Sequence, residues 1–165
     1  MKELRVLIES LAPAGEEQLS TWFTLPIDED VFEERLQVSM DSEDYRIIEK
    51  ELPFADEVKE DTIAGQLNNL YTLFTELPSD MQEDCEELLC FYTSLEELHT
   101  QRNEIIHYPL CKNMTDVART VLEQSPAYNA LSESIIRYFD FEGYGQYLDD
   151  NGKFVETDHG IYELP

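Results

Sequence analysis

Apolar residues change their period along this chain, and the change divides it into thirds. Residues 4 to 9 and 22 to 27 are short, branched or aromatic runs that predict strands, with a turn signal at Pro13-Ala14-Gly15 between them. Asp28 can cap a short acidic helix running to about Ser39, in which Phe32 and Leu36 share a face. Tyr45 to Glu49 predicts a further strand, so residues 1–60 form a small α+β unit.

From Thr62 the period becomes helical. Ile63, Leu67, Leu70, Phe74 and Leu77 fall on one face, and Pro78 ends that helix. Met81, Cys85, Leu88, Leu89 and Tyr92 trace a second helix whose other side carries Glu83, Asp84, Glu86 and Glu87. Ser94-Leu95-Glu96-Glu97 matches a capping box and opens a third helix, so residues 61–103 predict a helical bundle with an acidic exterior.

Residues 104–165 return to mixed α and β. Glu104 to Pro109 predicts a strand, and Thr115 a cap for a helix bearing Val117, Ala118, Val121 and Leu122. Another helix is expected around Ser132 to Asp140, and Asn151-Gly152 predicts a two-residue hairpin between Tyr147-Leu148 and Phe154-Val155. The expected fold class is therefore α+β, a chain of three small subdomains.

Charge changes this picture. The 165 residues hold 37 acidic and 11 basic side chains, a formal net charge of −26. Solubility of a small domain needs only about 2 to 8 net charges. Between Lys59 and Arg102 there is no lysine or arginine at all. Ordinary solvated helices interleave cations for pairing at four-residue spacing, and here those partners are missing. Such a chain repels nucleic acid and anionic membranes and attracts basic partners. Duplex DNA carries one phosphate per about 1.7 Å, so 26 charges match about 44 Å of duplex, or about 13 base pairs. Halophilic adaptation also produces acidic surfaces. Disorder does not fit, because 42% of residues are hydrophobic and 11% aromatic.

The candidates for other chemistry are weak. Asp149-Asp150-Asn151-Gly152 superficially resembles a calcium loop, but Tyr147 and Asp158 occupy the positions where an Asp and a bidentate Glu are needed. His99, His107 and His159 show no zinc spacing, and Cys85, Cys90 and Cys111 no metal-like pairing. Paired carboxylates are too abundant here to signal acid-base catalysis, and no phosphate loop or nucleophile elbow is present. The expectation is a binding protein, not an enzyme, with no cofactor and no metal. Arg5 and Glu9 interrupt the amino-terminal apolar run, which with unpaired thiols points to the cytoplasm.

Tyr138-Phe139-Asp140-Phe141-Glu142-Gly143-Tyr144-Gly145-Gln146-Tyr147-Leu148 resembles the carboxy-terminal signature of the ArdA antirestriction family. Trp22-Phe23 with Pro26, Glu51-Leu52-Pro53-Phe54, Thr75-Glu76-Leu77-Pro78, Asp116-Val117-Ala118-Arg119 and His159-Gly160-Ile161-Tyr162-Glu163 extend the resemblance over essentially the whole chain. It is most similar to forms carried on conjugative transposons of Gram-positive bacteria. Gly145-Gln146-Tyr147-Leu148 departs from the family's Ala-Arg-Asp-Leu.

The resemblance implies an elongated DNA mimic that dimerises through its last subdomain. It would occupy the DNA groove of type I restriction-modification enzymes, on the methyltransferase core and specificity subunit, and protect incoming mobile DNA from restriction and often from modification. Asp80, Glu83, Asp84, Glu86, Glu87, Glu96 and Glu97 are then the candidates to stand in for phosphates. Val117, Val121, Tyr138 and Tyr144 are the candidates for the dimer contact, near the antirestriction segment 116 to 123. A dimer would carry −52, equivalent to about 26 base pairs. The rival reading is an acidic chaperone-like or inhibitory protein for another basic, DNA-binding partner. Crowded like charges also predict stability that rises as pH falls modestly below 7 and as salt is added.

Overall fold

The computed structural model describes residues 3–11 and 18–165, so the turn expected at Pro13-Ala14-Gly15 lies outside the described residues. It is a mixed α+β protein that divides into two compact units, Met1–Thr100 and Gln101–Pro165.

The first unit begins with an antiparallel sheet of β1 (Arg5–Ser10), β2 (Ser20–Thr24) and β3 (Tyr45–Glu51) in the order β2-β1-β3. Along β1 burial alternates, so Val6, Ile8 and Ser10 face inward while Arg5, Leu7 and Glu9 are half-exposed. Helix α1 (Glu29–Leu36) covers the inner face with Phe32 and Leu36. Phe32 packs 5.3 Å from Phe23 and 4.8 Å, edge to face, from Tyr45. Asp28 caps α1 as expected, accepting from Val31 N–H at 3.0 Å. The helix ends earlier than Ser39 because Gln37 turns into the left-handed region at φ 55° and returns its N–H to Glu33 O. No glycine marks that stop, so the sequence concealed it.

Helix α2 (Ala64–Thr75) follows the expected face, with Leu67, Leu70 and Phe74 buried. It is tied to the sheet region by side chains. The Asn68 amide donates to Ile27 O and accepts from Ile27 N–H, Tyr45 Oη accepts from Ala64 N–H at 2.8 Å, and Phe54 packs 6.0 Å from Phe74. The single helix expected after Pro78 is two, α3 (Ser79–Glu83) and α4 (Cys85–Leu89), which meet at Asp84. Met81, Cys85 and Leu88 keep helical spacing through the break, so apolar periodicity cannot detect it. Helix α5 (Leu95–Gln101) buries Leu95 and Leu98.

In the second unit, β4 (Ile106–Tyr108), β5 (Lys153–Thr157) and β6 (Gly160–Leu164) form an antiparallel sheet in the order β4-β6-β5. Helices α6 (Met114–Glu123), α7 (Pro126–Asn129), α8 (Glu133–Arg137) and α9 (Phe141–Asn151) complete it. Cys111, Val117 and Ile161 form a core against which Tyr108, Met114, Val121, Leu148 and Phe154 pack. Two expectations are corrected here. Asn113, not Thr115, caps α6, accepting from Asp116 N–H at 2.9 Å, and Thr115 already lies inside the helix. Asn151-Gly152 is no hairpin turn: Tyr147 to Asn151 continue α9, and Gly152 ends it. Leu148 packs on the core and the Asn151 amide donates to Tyr147 O at 2.8 Å, which holds the segment helical. The hairpin joins β5 to β6 instead, turning at Asp158-His159, with Gly160 at φ 126°.

Candidate functional site: an acidic face and an aromatic cleft

The short helices of the first unit bury one side and expose carboxylates on the other. Met81, Cys85, Leu88, Leu95 and Leu98 point inward, and consequently Glu83, Glu86, Glu87 and Glu96 are exposed. The other three expected phosphate-like residues sit differently. Asp84 is only 1% exposed at the junction of α3 and α4, and Asp80 is half-buried in the first turn of α3. Glu97 is half-buried as well, its Oε2 accepting from Thr93 N–H at 2.9 Å and from Thr93 Oγ at 2.6 Å, while Ser94 Oγ accepts from Glu97 N–H. That is a capping box displaced by one residue, so Glu97 serves the helix start. Helical pattern alone separates neither Asp84 nor Glu97 from the exposed acids.

Two sets of acids lie outside the seven. Glu29, Asp30, Glu33 and Glu34 form an exposed face on α1, visible in the sequence as paired acids around Phe32. Glu57 is half-buried as the last residue of the 3-10 turn Ala55–Glu57, and its Oε2 accepts from Leu95 N–H at 2.8 Å. Burial pushes the Glu57 carboxyl up, with the bond from Leu95 opposing. Burial, then the charges of Glu57, Glu86 and Glu87, push the Cys85 thiol up to about 12, so it stays protonated and unreactive.

The basic side chains of this unit do little to neutralise it. Arg46 donates to the carbonyls of Glu43 and Tyr45, Lys50 to that of Val58, and Lys59 to that of Asp56. Arg5 is taken up by Glu51, with bonds of 2.5 and 3.1 Å, and lies over Trp22. Three of the unit's six Lys and Arg residues thus bind main-chain oxygen while its 26 acidic residues set the field.

The second unit is different in kind. Val117 is fully buried in the core and Val121 packs against it, so neither offers a broad surface. Tyr138 is 83% exposed, and Tyr144 is half-buried between Phe139 and Tyr147, at 6.1 and 5.9 Å. Ring contacts link Tyr128, Phe139 and Phe141 into the same cluster. Beside them a cleft of about 390 Å³ is lined by Arg119, Glu123, Tyr128, Ile136, Arg137, Phe139 and Phe141. Helix α9 passes so close to the start of α6 that a Cβ on Gly145 would stand 2.6 Å from Met114 O. Glycine at this position therefore follows from packing.

Among the described residues no three His, Cys, Asp or Glu side chains converge to hold a metal. No described helix is long and apolar enough to cross a membrane. No individual curated protein matches the chain. Over residues 16–163, nearly its whole length, the sequence matches the family described as Antirestriction protein (ArdA). The acidic first unit and the aromatic second unit thus belong to a member of the ArdA antirestriction family, whose proteins inhibit restriction-modification enzymes.

Proposed function

We propose that this protein acts as a DNA mimic on type I restriction-modification enzymes. The observation that carries the reading is the outward display of Glu83, Glu86, Glu87 and Glu96 on the short helices of the first unit, whose Arg46, Lys50 and Lys59 are turned to main-chain carbonyls. A restriction enzyme's DNA groove presents lysines and arginines to phosphates, and carboxylates at comparable density form the same charge-assisted bonds. The exposed acids of α1 extend that display beyond the segment 61–103. Glu97 instead supports the start of α5.

Inhibition of this kind needs no reaction. Occupying the groove of the methyltransferase core and specificity subunit excludes the substrate duplex, which protects incoming DNA from cleavage and, where the same groove is used, from methylation. The long-range field makes association fast and sensitive to salt. A twofold dimer joined through the second unit would double the charged length.

The test is competition. Protein is titrated into a type I methyltransferase core bound to fluorescent target duplex at fixed near-physiological salt. Stoichiometric displacement of intact duplex is expected, weakening as salt is raised. Failure to displace at large excess over enzyme and DNA would overturn the reading.

A further inference from the structure

Within the first unit, the 3-10 turn Ala55–Glu57 and the residues before it share a cleft of about 550 Å³ with helix α4 and the loop that leads to α5. That volume lies in the range of about 300 to 1,000 Å³ typical of sites that enclose a small group. Its lining is of two kinds. Leu52, Pro53, Leu89 and Tyr92 supply apolar and aromatic surface, and Asp56, Glu57 and Glu86 supply carboxylates. Asp56 and Glu86 are exposed at the rim, whereas Glu57 is half-buried. No described Lys, Arg or His pairs with any of the three. Lys59, close by in sequence, gives its Nζ to the main-chain oxygen of Asp56 and does not line the cleft. Leu95 N–H holds Glu57 through Oε2, and Oε1 accepts no bond from a described residue. A carboxylate that burial already disfavours gains most from an added cation, because attraction strengthens as water is excluded.

The two kinds of lining select the occupant. Anions are repelled, and an apolar molecule would bury Glu57 further without giving it a partner. A cation on an aliphatic stem satisfies both, since its methylenes lie on apolar surface while its head reaches the carboxylates. Guanidinium suits a half-buried site better than ammonium, because it is more weakly hydrated and its planar fork matches carboxylate oxygens. We propose that this cleft receives one arginine side chain from the DNA groove of the restriction enzyme. Its guanidinium binds Glu57, with Asp56 and Glu86 at the rim, and its stem lies against Leu52 and Leu89. The proposal rests on the DNA-mimic reading and deepens it, placing one anchored contact within a field otherwise spread over exposed acids.

The experiment follows duplex displacement from a type I methyltransferase core by the full chain, comparing Glu57→Gln with Glu87→Gln. Each removes one charge from the first unit, and Glu87 is exposed and does not line the cleft. Glu57→Gln keeps an acceptor for Leu95 N–H, so its circular dichroism should match that of the unaltered chain. Displacement should weaken at least about tenfold for Glu57→Gln and less than about fivefold for Glu87→Gln. Cys90 gives a readout that leaves charge untouched, because it is the exposed thiol of the cleft while Cys85 and Cys111 are buried. N-ethylmaleimide should modify Cys90 alone, and the modified chain should displace duplex at least about tenfold less well. Bound methyltransferase core should slow that modification. Agmatine, a guanidinium on an aliphatic stem, should slow it too, and sodium chloride at the same ionic strength should not. Equal losses from the two Gln variants, or an unchanged modification rate in the complex, overturn the arginine anchor and leave the DNA-mimic reading in place. Protection by agmatine but not by the enzyme assigns the cleft to a free small cation and likewise overturns the anchor. An unaltered chain that displaces no duplex overturns the DNA-mimic reading, and the anchor with it.

Discussion

The two units of this chain use charge in opposite ways. Met1–Thr100 holds 26 acidic and 6 basic residues, a net of −20, whereas Gln101–Pro165 holds 11 and 5, a net of −6. In the first, cationic side chains such as Arg46, Lys50 and Lys59 bind backbone oxygen, and carboxylates cover short helices. In the second, two arginines share a cleft with aromatic rings, and ring contacts run from Tyr128 to Tyr147. A surface that is charged for a basic partner cannot also be a surface for self-association, because like copies repel. The proposed groove contact therefore belongs to the first unit, where the negative charge is concentrated.

The most severe way to break the comparison is to neutralise the acidic face. Changing Glu83, Glu86, Glu87 and Glu96 together to Gln should weaken duplex displacement by about 30- to 1,000-fold, taking about 0.5 to 1 kcal/mol per exposed pair. The same number of changes in the second unit, at Asp149, Asp150, Glu156 and Asp158, should cost less than about threefold on that scale. Equal losses from both sets would show that net charge alone matters and that the division between units is empty.

The second unit can be tested through its packing. Gly145→Ala forces a methyl against Met114 O, and should destabilise by about 1 to 3 kcal/mol in urea denaturation. Any fall in displacement by this variant should vanish below its melting range, since the acidic face lies in the other unit.

Glu57 sharpens the comparison more gently, since it is a charge that the first unit holds at a cost. Its folded value is raised by burial, so the folded form takes up a proton before the unfolded form does. Its contribution is therefore fully present below the unfolded value and is lost as pH rises through the raised folded one. Glu57→Gln keeps an acceptor for Leu95 N–H and removes this loss. Its melting temperature should exceed the unaltered protein's at pH 7, with the gap closing as pH falls toward the carboxylate range. A constant gap would assign the effect to something other than titration.

The smallest expected effect is that of one exposed charge. Glu86→Gln should change displacement by less than about fivefold, because a single surface pair is worth at most about 1 kcal/mol. A larger loss would mark a specific contact within what is otherwise a distributed field.

The sequence by itself determined which residues are apolar, how they repeat, and how many charges of one sign must be displayed. Those quantities are local or additive, and from them came the mixed α+β class, strands at residues 4–9 and 45–49 that the structure extends or shifts by one or two residues, helix α2, the Asp28 cap and the acidic exterior. Only the tertiary structure decided which carboxylates reach solvent. Asp84 and Glu83 are neighbours with the same chemistry, and the break between α3 and α4 turns one inward and leaves the other outside. Only packing made Asn151-Gly152 the end of a helix, since Asn-Gly stops a helix as readily as it turns a hairpin until Leu148 finds the core. The arginine cleft was equally hidden, because Arg119 and Arg137 stand 18 residues apart, on helices α6 and α8. Residues distant in sequence meet only when several elements pack at once, and no periodicity along the chain encodes that meeting.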